Sequence, residues 1–345
     1  MDIDFSLCPL CNKYVPLSLI SVHSTLHSSE KEIILIDIDI DEGYQLFHSL
    51  VNKYSNDKRN KKHLQQIHFC SKLEFYSQSK QAICGYRNIQ MILSNLLQKF
   101  DLFESKSPPT VYKIQQLIEA AWKCGFDLEG SKHFQNGGIL GTDKWIGATE
   151  FATLLNYLGI KNQIYDFDKK YKSNNHVHLF NFVWDHFQSF KKEGNEQNQQ
   201  KVVQVPPLYL QSKWHSVTII GIERTGKKIT NQNLLVFDPL RNHERLKNSI
   251  LNGKFNTIKK SFLKISKLMQ YQIVVPKYTP HTKFEREKSK TIRSIQIPSQ
   301  PLLNNHPNSL QRKRNFNKHQ QKNKTVETNN NQKRKRKNDH KKKKN

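Results

Sequence analysis

The stretch CGYRNIQMILSNLLQKF, residues 84–100, decides the fold of the chain. Its apolar side chains recur at intervals of three and four residues, the one-sided stripe of an amphipathic helix: Ile89, Ile92, Leu93, Leu96, Leu97 and Phe100. The stripe predicts that Cys84 stands at or just before the N-terminus of this helix. The positive end of the helix macrodipole favours a thiolate over a thiol, so Cys84 becomes a candidate nucleophile.

The same analysis predicts further helices and then strands. Helical stripes run from Ile114 to Trp122 and from Phe151 to Leu158, each followed by a glycine that ends it. Runs rich in apolar and β-branched residues then predict five strands, at 163–167, 209–210, 216–222, 234–237 and 272–275. Helices first and strands later is the order of an α+β fold.

Two of the predicted strands carry residues that can complete a catalytic triad. His215 precedes the strand 216–222 and Asp238 follows the strand 234–237, so antiparallel pairing would bring both side chains to one end of the sheet. A thiolate nucleophile needs an imidazole beside it and a third group to orient that imidazole. The order Cys84, His215, Asp238 is that of papain-like enzymes. Taken singly, each of the three residues also fits an ordinary packing or surface role.

Five sequence blocks distinguish a catalytic role for these three residues from an ordinary packing or surface role. They occur in the order CGYRNIQM (84–91), QQLIEAAW with GFD (115–127), KWIGATE (144–150), PPLYLQ with HS (206–216) and LLVFDP (234–239). Together they closely resemble the zinc-finger ubiquitin peptidase family (ZUFSP), which is related to the proteases of the ubiquitin-fold modifier. The resemblance covers residues 81–242 and implies a papain-like cysteine peptidase domain over residues 70–280.

The resemblance implies a role for each site residue. Cys84 is expected to be the nucleophile, His215 the general acid and base, and Asp238 the orienting carboxylate. Gln211, four residues before His215, matches the family's oxyanion-stabilising glutamine, while Gln78 competes for that role through its papain-type spacing before Cys84. The implied activity is thiol-dependent hydrolysis of isopeptide bonds in polyubiquitin, in long signalling-type chains, with no cofactor for catalysis and a link to genome maintenance.

Two departures from the family pattern are visible. The ubiquitin-fold-modifier proteases carry Asp-Pro-His, whereas this chain reads Asp238-Pro239-Leu240, so the imidazole must come from His215. The usual Gly-Trp-Gly run before the nucleophile is replaced by Gln81-Ala82-Ile83, which bears on how a substrate tail is clamped.

A metal-binding module is predicted at residues 1–29. Two soft thiolates and two imidazoles, with the spacing of a structural zinc site, are its candidate ligands: Cys8, Cys11, His23 and His27. Zinc would supply most of the folding free energy of so small a module. The segment between the ligand pairs is poor in side chains that read base edges, which favours a ubiquitin-binding finger; a purely structural knob and a DNA-binding finger are the alternatives.

Residues 30–69 are interpreted as one amphipathic helix and a charged connector, and the finger and helix are expected to hold a neighbouring ubiquitin of the chain. Residues 281–345 are predicted to form a disordered basic tail. The formal net charge is +27, and the segment 312–344 holds 15 lysines and arginines against Glu327 and Asp339. Such clusters are typical of nuclear localisation signals and of weak phosphate binders, with a merely solubilising tail as the alternative.

The sequence has neither a long apolar run nor the pattern of a secretory signal, so a soluble protein of the nucleus and cytoplasm, without a membrane partner, is expected. Three other functions compete with deubiquitination: an inactive ubiquitin-binding protein that keeps the peptidase fold, a protease of the ubiquitin-fold modifier, and a protein whose main task is nucleic-acid binding.

Overall fold

A computed structural model of the protein describes most of the chain between residues 43 and 298. The described residues are 5–7, 14–16, 43–57, 65–78, 83–103, 107–134, 138–169, 175–189, 205–226 and 228–298. The helices are α1 (Gly43–Asn56), α2 (Cys84–Leu96), α3 (Val111–Lys123), α4 (Leu128–Ser131), α5 (Ala148–Tyr157), α6 (Val177–Ser189), α7 (His243–Leu251), α8 (Phe262–Ile265) and α9 (Lys283–Lys288). The three helices predicted from apolar stripes correspond to α2, α3 and α5.

The strands form one large sheet and one short hairpin. The hairpin consists of β1 (Phe5–Leu7) and β2 (Tyr14–Pro16). The sheet contains β3 (Gln65–Phe69), β4 (Ile160–Asp168), β5 (Leu208–Gln211), β6 (Ser216–Thr225), β7 (Gln232–Phe237), β8 (Lys259–Ser261), β9 (Gln270–Pro280) and β10 (Ser294–Ile297). Its order is β10-β4-β9-β5-β6-β7-β8, and β3 pairs with the far half of β6. Every pairing is antiparallel except that of β10 with β4.

Two clusters of buried apolar side chains cover the sheet. One is built around α2, α3 and α5, with Ile89, Leu117 and Phe151 fully buried or nearly so. The other lies among α1, α6, α7 and the strands β5 to β9. Alternation along β5 divides the faces, because Tyr209 belongs to the first cluster and Leu208 and Leu210 to the second. Helix α2 is thus clamped between the sheet and two helices, which fixes the position of its first residue.

Two elements within residues 30–69, the segment predicted as one helix and a charged connector, are part of this domain. Helix α1 buries Leu46, Phe47, Leu50 and Tyr54 against the sheet, and β3 adds a strand beside β6. Their approach is so close that a Cβ on Gly221 would lie 2.4 Å from the His68 carbonyl oxygen. The boundary at residue 70 was therefore wrong. The apolar stripe of α1 was visible in the sequence, but its partner surface, made of distant strands, was not.

The prediction that disorder begins at residue 281 was also wrong for residues 281–298. Helix α9 starts with a capping box between Thr282 and Glu285. Lys161 pairs with Glu285 at 2.8 Å, and Arg286 donates to the Tyr157 carbonyl oxygen at 2.8 Å. Strand β10 then extends the sheet beside β4. These contacts are polar, so the low apolar content that suggested disorder gave no warning of them.

The predicted zinc ligands Cys8, Cys11, His23 and His27 lie outside the described residues, as do residues 299–345. Within the described ranges no group of three or more His, Cys, Asp or Glu side chains is placed to hold a metal ion. No helix among those residues combines the length and apolarity needed to cross a bilayer.

If α9 belongs to the folded domain, Arg286→Ala will lower the free energy of unfolding by about 1.5–3 kcal/mol, because a charged hydrogen bond and the packing of the guanidinium on Phe126 are lost. Lys288→Ala, on the exposed side of the same helix, is the control and should change it by no more than about 0.5 kcal/mol. Urea unfolding followed by circular dichroism measures both. Equal, negligible effects would contradict the new boundary.

Candidate active site

The three predicted triad residues meet at one end of the sheet. Helix α2 begins at Cys84, β6 begins one residue after His215, and β7 ends one residue before Asp238. Strands β6 and β7 are antiparallel, with Thr218 opposite Phe237, so the start of one strand lies beside the end of the other. The expectation that neighbouring antiparallel strands bring His215 and Asp238 together is what the structure shows.

His215 stands between the thiol and the carboxylate. Its Nε2 lies 2.7 Å from Oδ1 of Asp238, and its side chain is hydrogen-bonded to Cys84 on the other side. Because Nε2 faces Asp238, Nδ1 is the nitrogen left for the Cys84 Sγ. This is the geometry in which a carboxylate fixes the imidazole and the imidazole serves the nucleophile.

The electrostatics of the site favour an ion pair. Burial by itself raises the pKa of the Cys84 thiol, but hydrogen bonds from His215 and Ser216 outweigh it, and the net pKa is lowered. Burial likewise opposes the charged form of His215, but its hydrogen bonds to Asp238 and Cys84 raise its pKa to about 9. Both shifts favour a thiolate paired with an imidazolium, the reactive state of a cysteine nucleophile.

Asp238 is held from three directions. Besides His215, the Leu240 backbone N–H donates to Oδ1 at 3.2 Å, and Nζ of Lys260 lies 3.3 Å from Oδ2. Burial opposes ionisation of this carboxyl, but these partners lower its pKa to about 2. Lys260 was missed by the sequence analysis, since β8 is a three-residue strand with no pattern of its own.

Ser216 and Asn88 hold the thiol side of the site. The Ser216 hydroxyl and backbone N–H both hydrogen-bond to Cys84. Asn88, fully buried, donates to Ser216 Oγ at 3.0 Å and to the Cys84 carbonyl oxygen at 2.8 Å, and accepts from Thr218 Oγ1 at 2.8 Å. The sequence did carry a signal for Asn88, because it interrupts an apolar helix four residues after Cys84.

The two candidate oxyanion glutamines lie in different surroundings. Gln211 ends β5 opposite Ser216; its Oε1 accepts from the Tyr209 hydroxyl at 2.8 Å and its Nε2 donates to the Ser212 carbonyl at 2.6 Å. The amide is thereby oriented, and its second hydrogen remains to meet a negative oxygen. Gln78 donates its backbone N–H to the Pro239 carbonyl at 2.8 Å, which ties it to the Asp238 side of the site.

Two segments of the chain flank Cys84. On one side the segment 144–147 packs so closely on α2 that a Cβ on Gly85 would lie 2.7 Å from the Ile146 carbonyl oxygen. On the other side Trp214 precedes His215. Trp145 and Trp214 are 45% and 66% exposed and meet edge to face, with ring centroids 6.3 Å apart. The two rings thus join the two segments that flank Cys84.

The α+β fold and the arrangement of thiolate, imidazole and carboxylate define the class of a papain-like cysteine peptidase. A model of peptidase family C78 matches residues 56–274, more than half of the sequence. The chain belongs to peptidase family C78.

The chain is also similar to individual curated proteins. The chain is similar to the Zinc finger-containing ubiquitin peptidase 1 of Bos taurus, 41% identical over 201 residues that cover 55% of this chain and 33% of the relative. Its counterpart in Macaca fascicularis is 37% identical, covering 62% and 38%. The Ubiquitin carboxyl-terminal hydrolase mug105 of Schizosaccharomyces pombe is 34% identical, covering 55% and 73%. The matched part of this chain therefore spans 33% to 38% of the length of these mammalian relatives.

Among solved structures, the chain is similar to the UfSP of C. elegans with a TM-score of 0.44 and 18% identity, covering 67% of this chain and 37% of that one. The sequence-based expectation of a ZUFSP-like member related to the ubiquitin-fold-modifier proteases is confirmed at the level of the family.

The lowered thiol pKa makes a direct prediction. Iodoacetamide should alkylate Cys84 at a lower pH than an ordinary thiol requires, whereas buried Cys70, whose pKa is raised, should not react in that range. In His215→Ala the hydrogen bond and the positive charge are lost, so the pKa of Cys84 rises and its alkylation shifts to higher pH. Site-resolved mass spectrometry across a pH series measures both. An unshifted Cys84 profile in His215→Ala would contradict the ion pair.

Proposed function

We propose that this protein is a deubiquitinase that hydrolyses isopeptide bonds through an acyl-thioester on Cys84. The observation that carries the proposal is the His215–Asp238 contact at 2.7 Å beside a buried cysteine of lowered pKa, in a chain of peptidase family C78. On the substrate side the proposal is supported by the similarity to relatives named as a ubiquitin peptidase and a ubiquitin carboxyl-terminal hydrolase.

Each chemical step has a residue positioned for it. The Cys84 thiolate attacks the carbonyl carbon of the scissile bond, and the electron pair of the C=O moves to oxygen. His215 gives its proton to the leaving lysine amine as the C–N bond breaks, which leaves the acyl-thioester. A water molecule, losing a proton to the now neutral His215, attacks the thioester and releases the carboxylate. Cys84 leaves as the thiolate, and the imidazolium is restored.

The negative oxygen formed at each attack needs donors in place beforehand. The Cys84 backbone N–H at the start of α2 and the Nε2–H of Gln211 are the proposed pair. A preorganised donor of this kind lowers the barrier by about 3–4 kcal/mol. The fixed orientation of the Gln211 amide, with Tyr209 on one atom and Ser212 on the other, supports this assignment over Gln78.

The close contact between the two segments that flank Cys84 favours a substrate tail without side chains. A tail that presents its carbonyl to Cys84 must pass between the segment 144–147 and His215, where the indoles of Trp145 and Trp214 meet. Consecutive glycines, which end ubiquitin, pass such a constriction because they have no Cβ. The two indoles would then flank the extended backbone.

The remaining parts of the proposal concern the rest of the chain. A zinc finger with ligands Cys8, Cys11, His23 and His27 would bind ubiquitin and raise the local concentration of the next linkage in long chains. Action in the nucleus and cytoplasm, and a link to genome maintenance, follow from the resemblance to the ZUFSP family and from the basic clusters at 333–337 and 341–344. Weak contact of these clusters with nucleic acid should vanish when they are deleted.

The activity is tested with a ubiquitin carrying a C-terminal electrophile and with defined ubiquitin chains. Wild type should be labelled at Cys84 and should cut the chains, whereas Cys84→Ala should do neither. Cys124→Ala removes an exposed cysteine outside the site and is the matched control. Lack of labelling in wild type would leave a binding protein with an inactive fold, and preferential cleavage of the ubiquitin-fold modifier would reassign the substrate.

The kinetics of alanine variants at Gln211 and Gln78 show which of the two glutamines stabilises the oxyanion. Gln211→Ala should lower kcat about 100- to 1000-fold with little change in KM, because an oxyanion donor acts only in the transition state. Gln78→Ala should retain kcat within about tenfold. Steady-state hydrolysis of a fluorogenic ubiquitin substrate gives both values. The reverse order of the two losses would transfer the role to Gln78.

A further inference from the structure

A cavity of about 170 Å³ opens behind His215, on the face of the sheet away from α2. Ser216 and Thr218 point toward Asn88 on α2, so Val217 between them faces the other side, where it lines the cavity. The floor and the outer wall are apolar, with Leu210 from β5 and with Ile265 and Leu268 after β8. His215 is shared between this cavity and the triad.

The cavity is lined by positive charge and by no carboxylate. Its polar lining is His215, Ser212, Lys260 and Lys264, with the Tyr271 hydroxyl directed to the Ile265 carbonyl. Lys260 and His215 are both matched by Asp238. Lys264, on the exposed side of α8, makes no ion pair with any residue in the described part of the chain. Its ammonium is therefore the positive charge at this cavity that lacks a carboxylate.

The position of the cavity says which part of a substrate reaches it. His215 must give its proton to the leaving amine, so the segment that carries the acceptor lysine passes over the imidazole. The glycine tail approaches instead between Trp145 and Trp214, from the walls on either side of Cys84. Residues next to the acceptor lysine are then the ones brought to the cavity edge, where Lys264 stands.

We propose that this cavity is a leaving-group subsite that binds an acidic side chain adjacent to the acceptor lysine, with Lys264 as its ionic partner. The inference rests on the proposed function and deepens it. It adds selectivity for the residue beside the acceptor lysine to a site whose other proposed selectivity is for a glycine tail of the substrate. The apolar walls receive the methylene groups of a glutamate, and removal of water from the carboxylate strengthens its attraction to the ammonium.

The test uses ubiquitin joined through its C-terminus to the lysine side chain of a fluorescent peptide, with Glu, Gln or Lys directly after the acceptor lysine. Wild type should cleave the Glu conjugate about five- to tenfold faster, in kcat/KM, than the Lys conjugate. Lys264→Glu should reverse the order. Lys267→Glu makes the same charge change one turn further along, outside the cavity lining, and should keep the wild-type order. Fluorescence polarisation follows release of the peptide.

Two further measurements separate the possible failures. Ubiquitin linked to a small fluorogenic leaving group reports the proposed activity alone, and Lys267→Glu, outside the cavity lining, should hydrolyse it at the wild-type rate. Binding of the three conjugates to Cys84→Ala, by anisotropy, reports the subsite without turnover and should follow the order Glu, Gln, Lys. If the small substrate is cleaved but the three conjugates are cleaved and bound alike, the subsite is disproved while the deubiquitinase remains. If wild type cleaves none of the substrates, the proposed function itself fails, and equal binding of the conjugates disproves the subsite in that case also.

Discussion

The attachment of α2 to β6 through Asn88 is the constraint on which the site depends. The sulfur belongs to the first residue of a helix, and the imidazole belongs to the residue just before β6, more than 100 residues later. The two groups stay in contact only if helix and strand keep a fixed separation. A single buried amide bridges them, with one side on the Cys84 carbonyl and Ser216, the other on Thr218. Because a buried amide is costly when unpaired, its three bonds select one register of helix on strand.

Charge alternates through the site in a way that supports this geometry. Lys260, Asp238, His215 and Cys84 form a row in which each group is stabilised by a neighbour of opposite sign. Burial works against the charges of Asp238, His215 and Cys84, so the row holds only while their contacts are made. The site is therefore sensitive to displacement of β8, a strand that carries no catalytic residue and stands at the edge of the sheet.

The sequence foretold the parts of this arrangement that depend on local periodicity. The spacing of apolar residues predicts the helix after Cys84 and the strands that position His215 and Asp238. Lys260 and the order of α9 and β10 are not, because they depend on polar contacts between segments far apart in the chain, such as Arg286 with the Tyr157 carbonyl. Asn88 is an intermediate case. The sequence shows a polar residue within a buried apolar stripe, but only the fold shows its hydrogen-bond partners.

The short outer strands of the sheet have a consequence for association. Strand β8 has three residues, two of them lysines, and β10 has four. An edge so brief and, on one side, so basic gives a foreign strand few backbone groups to pair with and repels another copy of itself. Extended chains that approach these edges therefore find few free backbone groups with which they could pair and begin to aggregate.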